Sequence, residues 1–150
     1  MKSIATNRKA RHEYTIVETI EVGIALKGTE VKSLREGTVN LRDTYASLER
    51  GEVILHNMYI APYSHTSERH LDPRRERKLL LHKQETKRLI GKVREKGLTL
   101  VPLKIYFNDN GIAKILLALV KGKKLYDKRR DIAERDANRD LQRVLKDKNS

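Results

Sequence analysis

The apolar residues late in the chain form a nearly continuous run. Residues 112–120, IAKILLALV, are apolar apart from Lys114. A strand with apolar side chains on both faces is stable only when both faces are covered, as in a closed barrel or a buried sheet. From Lys121 onward lysine and arginine dominate, and few side chains can bury much surface. The pattern predicts a folded body that ends at Val120, with Gly122 as a hinge and a basic tail beyond it.

Alternation and turn residues predict the elements of the first half. Apolar residues fall mostly on even positions in residues 13–26, which is the period of a half-buried strand, with Gly23 as a bulge. Residues 29–36 predict a short helix capped by its threonine and ended by a glycine. Two further β-type runs, residues 45–48 and 52–59, are separated by Glu-Arg-Gly and predict a hairpin.

The second half combines a polar loop, a helix and a final hairpin. Residues 60–78 contain two prolines, four arginines and little that is apolar, which predicts a long exposed loop. Apolar residues near helical spacing predict a helix over 79–96 that stops at Gly97. Residues 98–107 and 111–120 predict strands joined by the tight turn Asn-Asp-Asn-Gly.

The order of these elements predicts the fold class. Mostly antiparallel strands, with one longer helix before the last hairpin, indicate a mainly β fold with flanking helices, an antiparallel β-barrel of the oligonucleotide-binding (OB) type. A split α+β sandwich is the alternative. We divide the chain into a basic N-terminal arm at 1–12, the barrel at 13–120 and a basic tail at 121–150. The tail has arginines at four-residue spacing beside a thin apolar stripe, so we expect it to be disordered alone and helical on a partner.

Net charge narrows the range of partners. The 150 residues include 33 Lys and Arg against 20 Asp and Glu, a formal net charge of +13. A field of that sign attracts polyanions by releasing their counterions, so nucleic acid and anionic membranes are the candidates. We expect a cytoplasmic protein without a membrane partner, because no run approaches the ~20 apolar residues of a membrane span and the N-terminus lacks a signal-peptide core. Sparse aromatic residues favour recognition of backbone and shape.

The sequence contains no pattern typical of a catalytic or metal centre. The five histidines lack paired-ligand spacing, and cysteine is absent. The GKK at 122–124 lacks the rest of a phosphate-binding loop. We therefore expect no metal and no cofactor.

Three basic segments, residues 8–11, 69–78 and 121–130, are better candidates for a binding surface. Arginine forks in such segments can grip phosphates bidentately. Two other functions stay open at this point: an RNA-processing enzyme that uses His82 or His12 as a general base, and a constitutive ribosomal protein.

Longer motifs give a more specific signal than composition. They are NRKARHEY at 7–14, GTEVKSLREG at 28–37, NLRDTYA at 40–46, DPRRERKLLLHKQE at 72–85 and KGKKLYDKR at 121–129. In this order, over almost the whole chain, they resemble small protein B, the family of SsrA-binding proteins of bacterial trans-translation. The resemblance implies a non-enzymatic RNA-binding adaptor. It would bind the tRNA-like domain of transfer-messenger RNA (tmRNA, or SsrA RNA) and bring that RNA to stalled ribosomes, where incomplete proteins are tagged.

The resemblance also implies which residues contact RNA and the ribosome. The RNA-contacting set is Asn7, Arg8, Glu21, Arg77, Lys78, Leu80 and Lys114. The tail set, expected to enter the decoding centre and form a helix along the empty mRNA channel, is Gly122, Lys123, Lys124, Tyr126, Asp127, Lys128 and Arg129. Glu21 is notable because a carboxylate accepts hydrogen bonds from base amino groups, which a lysine cannot do. The alternative for Glu21 is an outward strand residue paired with a nearby lysine or arginine. We expect a monomer.

Overall fold

The computed structural model describes residues 2–63 and 71–122. The expectations for the tail beyond Gly122 therefore lie outside the described residues. In chain order the described elements are β1 (Lys2–Thr6), α1 (Arg8–Glu13), β2 (Tyr14–Ile24), α2 (Gly28–Arg35), β3 (Val39–Asn40), β4 (Tyr45–Glu49), β5 (Glu52–His56), β6 (Tyr59–Ile60), β7 (Arg77–Leu80), α3 (Lys83–Lys96), β8 (Thr99–Phe107) and β9 (Ala113–Gly122).

Six antiparallel strands form a closed barrel. They follow one another around the ring as β8, β4, β5, β7, β2 and β9, and the pairing of β9 with β8 closes it. The edge of β8 away from β9 is shared, because β4 pairs at Leu100 and β1 pairs with residues 104–107. Strands β3 and β6 form a separate two-stranded ribbon. The predicted mainly β fold with flanking helices is confirmed, and ring closure excludes the split α+β sandwich.

From Ala113 to Val120 the apolar run is covered on both faces, as its pattern predicts, whereas Ile112 just before β9 is 54% exposed. Leu117 belongs to the main core, whereas Ala118 and Val120 pack in a second cluster beneath Ala10 of α1. Complete burial of a leucine contributes about 2 kcal/mol. Two packed faces on β9 are what make an uninterrupted apolar strand stable.

A bulge in β2 explains how apolar residues at even positions of one strand pack in both clusters. The register of β2 against β9 shifts between Ile16 and Glu18, which leaves Val17 without a partner residue. Ile16 packs in the outer cluster under α1, whereas Ile20, beyond the bulge, packs in the main core. The predicted bulge at Gly23 was therefore wrong in position, since Gly23 is paired in register.

Both ends of the predicted barrel differ from the structure. The segment interpreted as an arm contains β1, which pairs with β8, and α1, which begins after Asn7. A strand held mainly by main-chain hydrogen bonds needs few apolar side chains, so the hydrophobic pattern of residues 2–6 did not indicate a strand. At the other end, the ladder continues two residues beyond Val120, where Gly122 pairs with Tyr14. The division into three parts stays a prediction.

The two longer helices begin differently from the sequence prediction. In α2 the cap is not Thr29: the carboxylate of Glu30 accepts from the backbone N–H of Lys27 at 2.9 Å. In α3 the carboxylate of Glu85 accepts from the backbone N–H of His82 at 3.1 Å. Helix α3 therefore begins at residue 83, and Leu79 and Leu80 belong to β7. Its predicted stop at residue 97 is confirmed by a left-handed φ of 61°.

A buried ion-pair network joins α2 to the start of β7 and to Arg75 just before it. Arg77 is 1% exposed and donates from Nε to Glu30 at 2.7 Å. Its terminal nitrogens donate to the carbonyls of Met58 at 2.5 Å and Pro73 at 3.0 Å. Arg75 donates to the same carboxylate. Burial raises the pKa of Glu30, but the hydrogen bonds from Arg75, the backbone and Arg77 outweigh it and hold that pKa below its usual value. The exposed loop predicted over 60–78 was thus wrong at Arg77.

Replacing Glu30 by glutamine should destabilise the fold by about 3 kcal/mol, because the Arg77 guanidinium would stay buried without its counter-charge. Urea denaturation at neutral pH measures this change. Glu36→Gln is the matched control, since Glu36 is exposed at the end of the same helix. We expect it to change the free energy of unfolding by less than about 0.5 kcal/mol.

Acid gives a second readout of the same variant. A carboxyl whose pKa is lowered by folding stabilises the protein above its unfolded pKa of about 4.3 and loses that contribution as the pH falls through the lowered folded value. The native chain should therefore lose more stability than Glu30→Gln on acidification through this range. Equal neutral-pH stability of Glu30→Gln and Glu36→Gln would contradict the network's role.

Candidate nucleic-acid interface

Much of the predicted RNA-contacting set lines one groove. The groove has a volume of about 920 Å³ and lies beside β2, β7 and β9, bounded by the start of α3. The members of the set that line it are Glu21, Lys78, Leu80 and Lys114. Residues far apart in sequence are thus brought into one surface by the barrel.

Strand register places these residues side by side. Gly23 of β2 pairs with Leu80 of β7 on one side and with Lys114 of β9 on the other. Directly paired residues on neighbouring strands share a face, and Glu21 lies on that face two residues earlier in β2. A Cβ at Gly23 would lie 3.2 Å from the Cβ of Leu80. The glycine therefore leaves the space between Leu80 and Lys114 open.

The groove combines apolar surface with ammonium groups. Leu80 and Ile112 are 50% and 54% exposed, and Lys83 and Lys87 of α3 line the same groove as Lys114. Apolar surface of this kind can contact riboses and base faces, whereas ammonium groups contact phosphates. The groove is therefore suited to RNA rather than to a simple anion.

The two lysines on the strands differ in their surroundings. Within residues 2–63 and 71–122, Lys78 pairs with Glu52 at 2.9 Å, whereas Lys114 has no ion pair. Lys114 is half-buried and Lys78 is exposed. Of these two lysines, Lys114 is therefore the one whose charge no carboxylate of the described residues neutralises.

The carboxylate of Glu21 is held by a residue that the sequence pattern did not identify. It accepts a hydrogen bond from the hydroxyl of Tyr106 on β8, and Tyr106 pairs with Lys114, so the ring spans β9 to reach β2. Burial, followed by the hydrogen bond and the charge of Glu21, raises the pKa of Tyr106 well above its ordinary value. The alternative in which Glu21 pairs with a lysine or arginine was wrong: within the described ranges its partner is a phenol.

Helix α3 is held in place by a polar and an apolar contact. Glu18 of β2 accepts from Nη1 of Arg88 at 2.7 Å and from Nζ of Lys92 at 2.9 Å. These two hydrogen bonds hold the pKa of Glu18 below its usual value. Leu89 is completely buried in the main core. The wall of the groove that α3 provides is therefore fixed against β2.

The other members of the predicted set lie outside the groove. Asn7 is buried, accepts from the N–H of Ala10 at 3.2 Å and donates to the carbonyl of Pro102 at 3.0 Å, so it caps α1 and ties it to β8. Arg8, the next residue, is exposed. The guanidinium of Arg77 is used by the buried network. Of these residues only Arg8 presents its charge to solvent.

In the part of the chain that the structure describes, no group of three or more histidine and acidic side chains is arranged to hold a metal ion. Over the same residues, no helix combines the length and apolarity needed to cross a bilayer. His12 is exposed on α1, and His82 lies at the groove edge just before α3.

The chain is similar to known proteins over nearly its whole length. Residues 4–147 match the family described as SmpB protein. The chain is 60% identical over 148 residues to the SsrA-binding protein of Moorella thermoacetica, covering 99% of this chain and 96% of that protein. It is 58% identical over 144 residues to the SsrA-binding protein of Thermus thermophilus, covering 96% and 100%. A solved structure described as "tmRNA-SmpB: a journey to the center of the bacterial ribosome" superposes with a TM-score of 0.67 at 63% identity, covering 84% of this chain and 88% of that chain.

Glu18→Gln should loosen α3 without unfolding the barrel, because it removes the charge that Arg88 and Lys92 bind. Ion pairs of this kind contribute about 0.2–1 kcal/mol, so amide hydrogen exchange in α3 should accelerate about two- to five-fold. Glu13→Gln, which removes one of the two carboxylates that pair with Lys9 on α1, is the matched control and should leave α3 unchanged. Equal exchange of α3 in the two variants would contradict the anchoring role.

Proposed function

Because the chain belongs to the SmpB family of SsrA-binding proteins, we propose that it is the adaptor that binds the tRNA-like domain of tmRNA and delivers it to stalled ribosomes. The curated relatives are named for SsrA binding, and the solved relative is described as tmRNA-SmpB at the centre of the bacterial ribosome. The protein works in the cytoplasm as a monomer without metal or cofactor. It has no catalytic activity of its own, since the ribosome performs the chemistry of trans-translation.

One observation supports this proposal: the carboxylate of Glu21, the exposed apolar side chains of Leu80 and Ile112, and several lysines line a single groove. Lys78 and Lys114 neutralise phosphates, which gives affinity but little selectivity. Glu21 repels phosphates and accepts from a base amino group or a ribose hydroxyl. A polyanion that brings no donor to Glu21 therefore binds less well than RNA of matching shape.

The remaining members of the predicted set act in two ways. Arg8 supplies a further phosphate contact from α1, where it is exposed. Asn7 and Arg77 act by positioning: Asn7 fixes the start of α1, and Arg77 fixes the strand that carries Lys78. Direct phosphate contact by Arg77 is not part of the proposal, because its side chain is buried and its donors are occupied.

The tail set supplies the ribosomal half of the function. Residues 122–129 enter the decoding centre and continue as a helix along the empty mRNA channel, with Tyr126 stacking on a ribosomal base. What supports this part of the proposal is family membership and the basic composition of the segment.

A salt titration of binding tests the proposed function. The affinity of the protein is measured for the tRNA-like domain of tmRNA, for an ordinary tRNA and for a single-stranded RNA of equal charge. Charge alone would give three similar affinities with parallel salt dependence. We expect the tRNA-like domain to bind at least about tenfold more tightly at every salt concentration, about 1.4 kcal/mol. Coinciding curves would contradict the adaptor function.

Lys114→Gln should weaken binding of the tRNA-like domain and reduce the slope of log affinity against log salt by about 1, because one phosphate contact is lost. Lys32→Gln is the matched control: Lys32 is exposed on α2 and lies 5.5 Å from the ring centroid of Tyr63. The control should change neither quantity beyond a general charge effect. An equal loss of affinity in the two variants would contradict a specific phosphate contact, because Lys114 would then contribute only to the general positive charge of the protein.

Replacing Lys123, Lys124 and Arg129 together by alanine should leave the affinity for the tRNA-like domain nearly unchanged but abolish tagging of stalled chains. The reason is that the barrel, not the tail, holds the RNA in this proposal. A reconstituted translation reaction on an mRNA without a stop codon measures tagging, and the RNA affinity of the same variant is its control. Tagging at the native level would contradict the role of the tail.

A further inference from the structure

Tyr106 is a buried tyrosine whose hydroxyl reaches an exposed residue of the groove. Its side chain is 3% exposed, and the Nζ of Lys104 lies 5.3 Å from its ring centroid. The hydroxyl donates to Oε2 of Glu21, which is itself exposed. A glutamate on a surface samples many rotamers, so a donor on a rigid, buried ring restricts its orientation.

Lys114 is the natural competitor for Glu21. The register of β2 against β9 pairs Glu21 with Leu116 and Gly23 with Lys114, so Glu21 and Lys114 are diagonal neighbours on one face. Diagonal neighbours lie about 7–8 Å apart, within reach of two long side chains. In the described ranges, however, the hydrogen bond of Glu21 goes to Tyr106 and Lys114 has no ion pair.

We propose that Tyr106 is a positioning residue for RNA binding: its hydroxyl holds Glu21 away from Lys114, so that carboxylate and ammonium face the RNA separately. The proposal rests on the RNA-binding function assigned above to the groove. With Oε2 engaged by the phenol, Oε1 of Glu21 keeps its lone pairs for a hydrogen-bond donor of the RNA, and Lys114 remains available for a phosphate.

Tyr106 preorganises the groove and does not itself contact the RNA. If the hydroxyl were absent, Glu21 and Lys114 would form a pair in the free protein. RNA would have to break that pair before either group could be used, which lowers affinity. The cost would fall on RNA that contacts both groups and would spare RNA held by the general positive field.

A double-mutant cycle tests this coupling. The affinities of the native chain, Tyr106→Phe, Glu21→Gln and the double variant are measured for the tRNA-like domain of tmRNA and for single-stranded RNA of equal charge. Phenylalanine keeps the ring and its packing, so only the hydroxyl is lost. We expect Tyr106→Phe to weaken binding of the tRNA-like domain about five- to tenfold, the value of one ordinary intramolecular hydrogen bond. The double variant should bind like Glu21→Gln alone.

A matched control and a stability measurement separate positioning from a structural role. Tyr59→Phe removes the hydroxyl of a half-buried tyrosine on β6 and should leave both affinities unchanged. Thermal unfolding shows whether Tyr106→Phe keeps the fold. An unchanged affinity in Tyr106→Phe, no effect of Glu21→Gln, a loss that persists in the Glu21→Gln background, or an equal loss for the two RNAs would overturn the proposal. A different result would contradict the proposed function: the native chain would bind the tRNA-like domain no more tightly than the single-stranded RNA.

Discussion

The ion pair between Glu30 and Arg77 is the contact on which the groove depends. Arg77 begins β7, and the burial of that strand alternates, with Arg77 and Leu79 inside and Lys78 and Leu80 outside. A buried guanidinium is tolerated only when it is paired and hydrogen-bonded, so its position is strongly specified. A slip of one residue would bury Lys78 and Leu80 and expose Arg77. The buried pair thus determines which side chains of β7 face RNA.

Three held carboxylates organise a chain whose net charge is +13. Glu30 ties α2 to Arg77 at the start of β7, Glu18 ties α3 to β2, and Glu21 is held by a phenol beside Lys114. The first two carboxylates bind cationic partners and are used for structure. Glu21 is held by a neutral donor, so its charge remains effective in the groove. A positive surface attracts any polyanion, whereas the carboxylate of Glu21 gives the surface a means of selection.

The sequence predicted those features that depend on local pattern. The apolar run before residue 120, the stop at Gly97 and the hairpin between residues 45 and 56 follow from period and turn chemistry, and the structure confirms them. Strand β1 was missed because main-chain pairing leaves little trace in side-chain pattern. The burial of Arg77 was missed because its partner lies 47 residues away. Likewise, nothing local marks Tyr106 as the partner of Glu21, and the candidate site came from resemblance rather than from pattern.

In the proposed complex, RNA occupies the groove between the strands β2, β7 and β9 and helix α3. The most direct measurement is to follow the backbone amide resonances of the protein while the tRNA-like domain of tmRNA is added. The largest changes are expected at Glu21, residues 78–80 and Lys114, with little change in the ribbon of β3 and β6. Large resonance changes confined to that ribbon, with the resonances of the groove amides unchanged, would show that RNA does not occupy the groove.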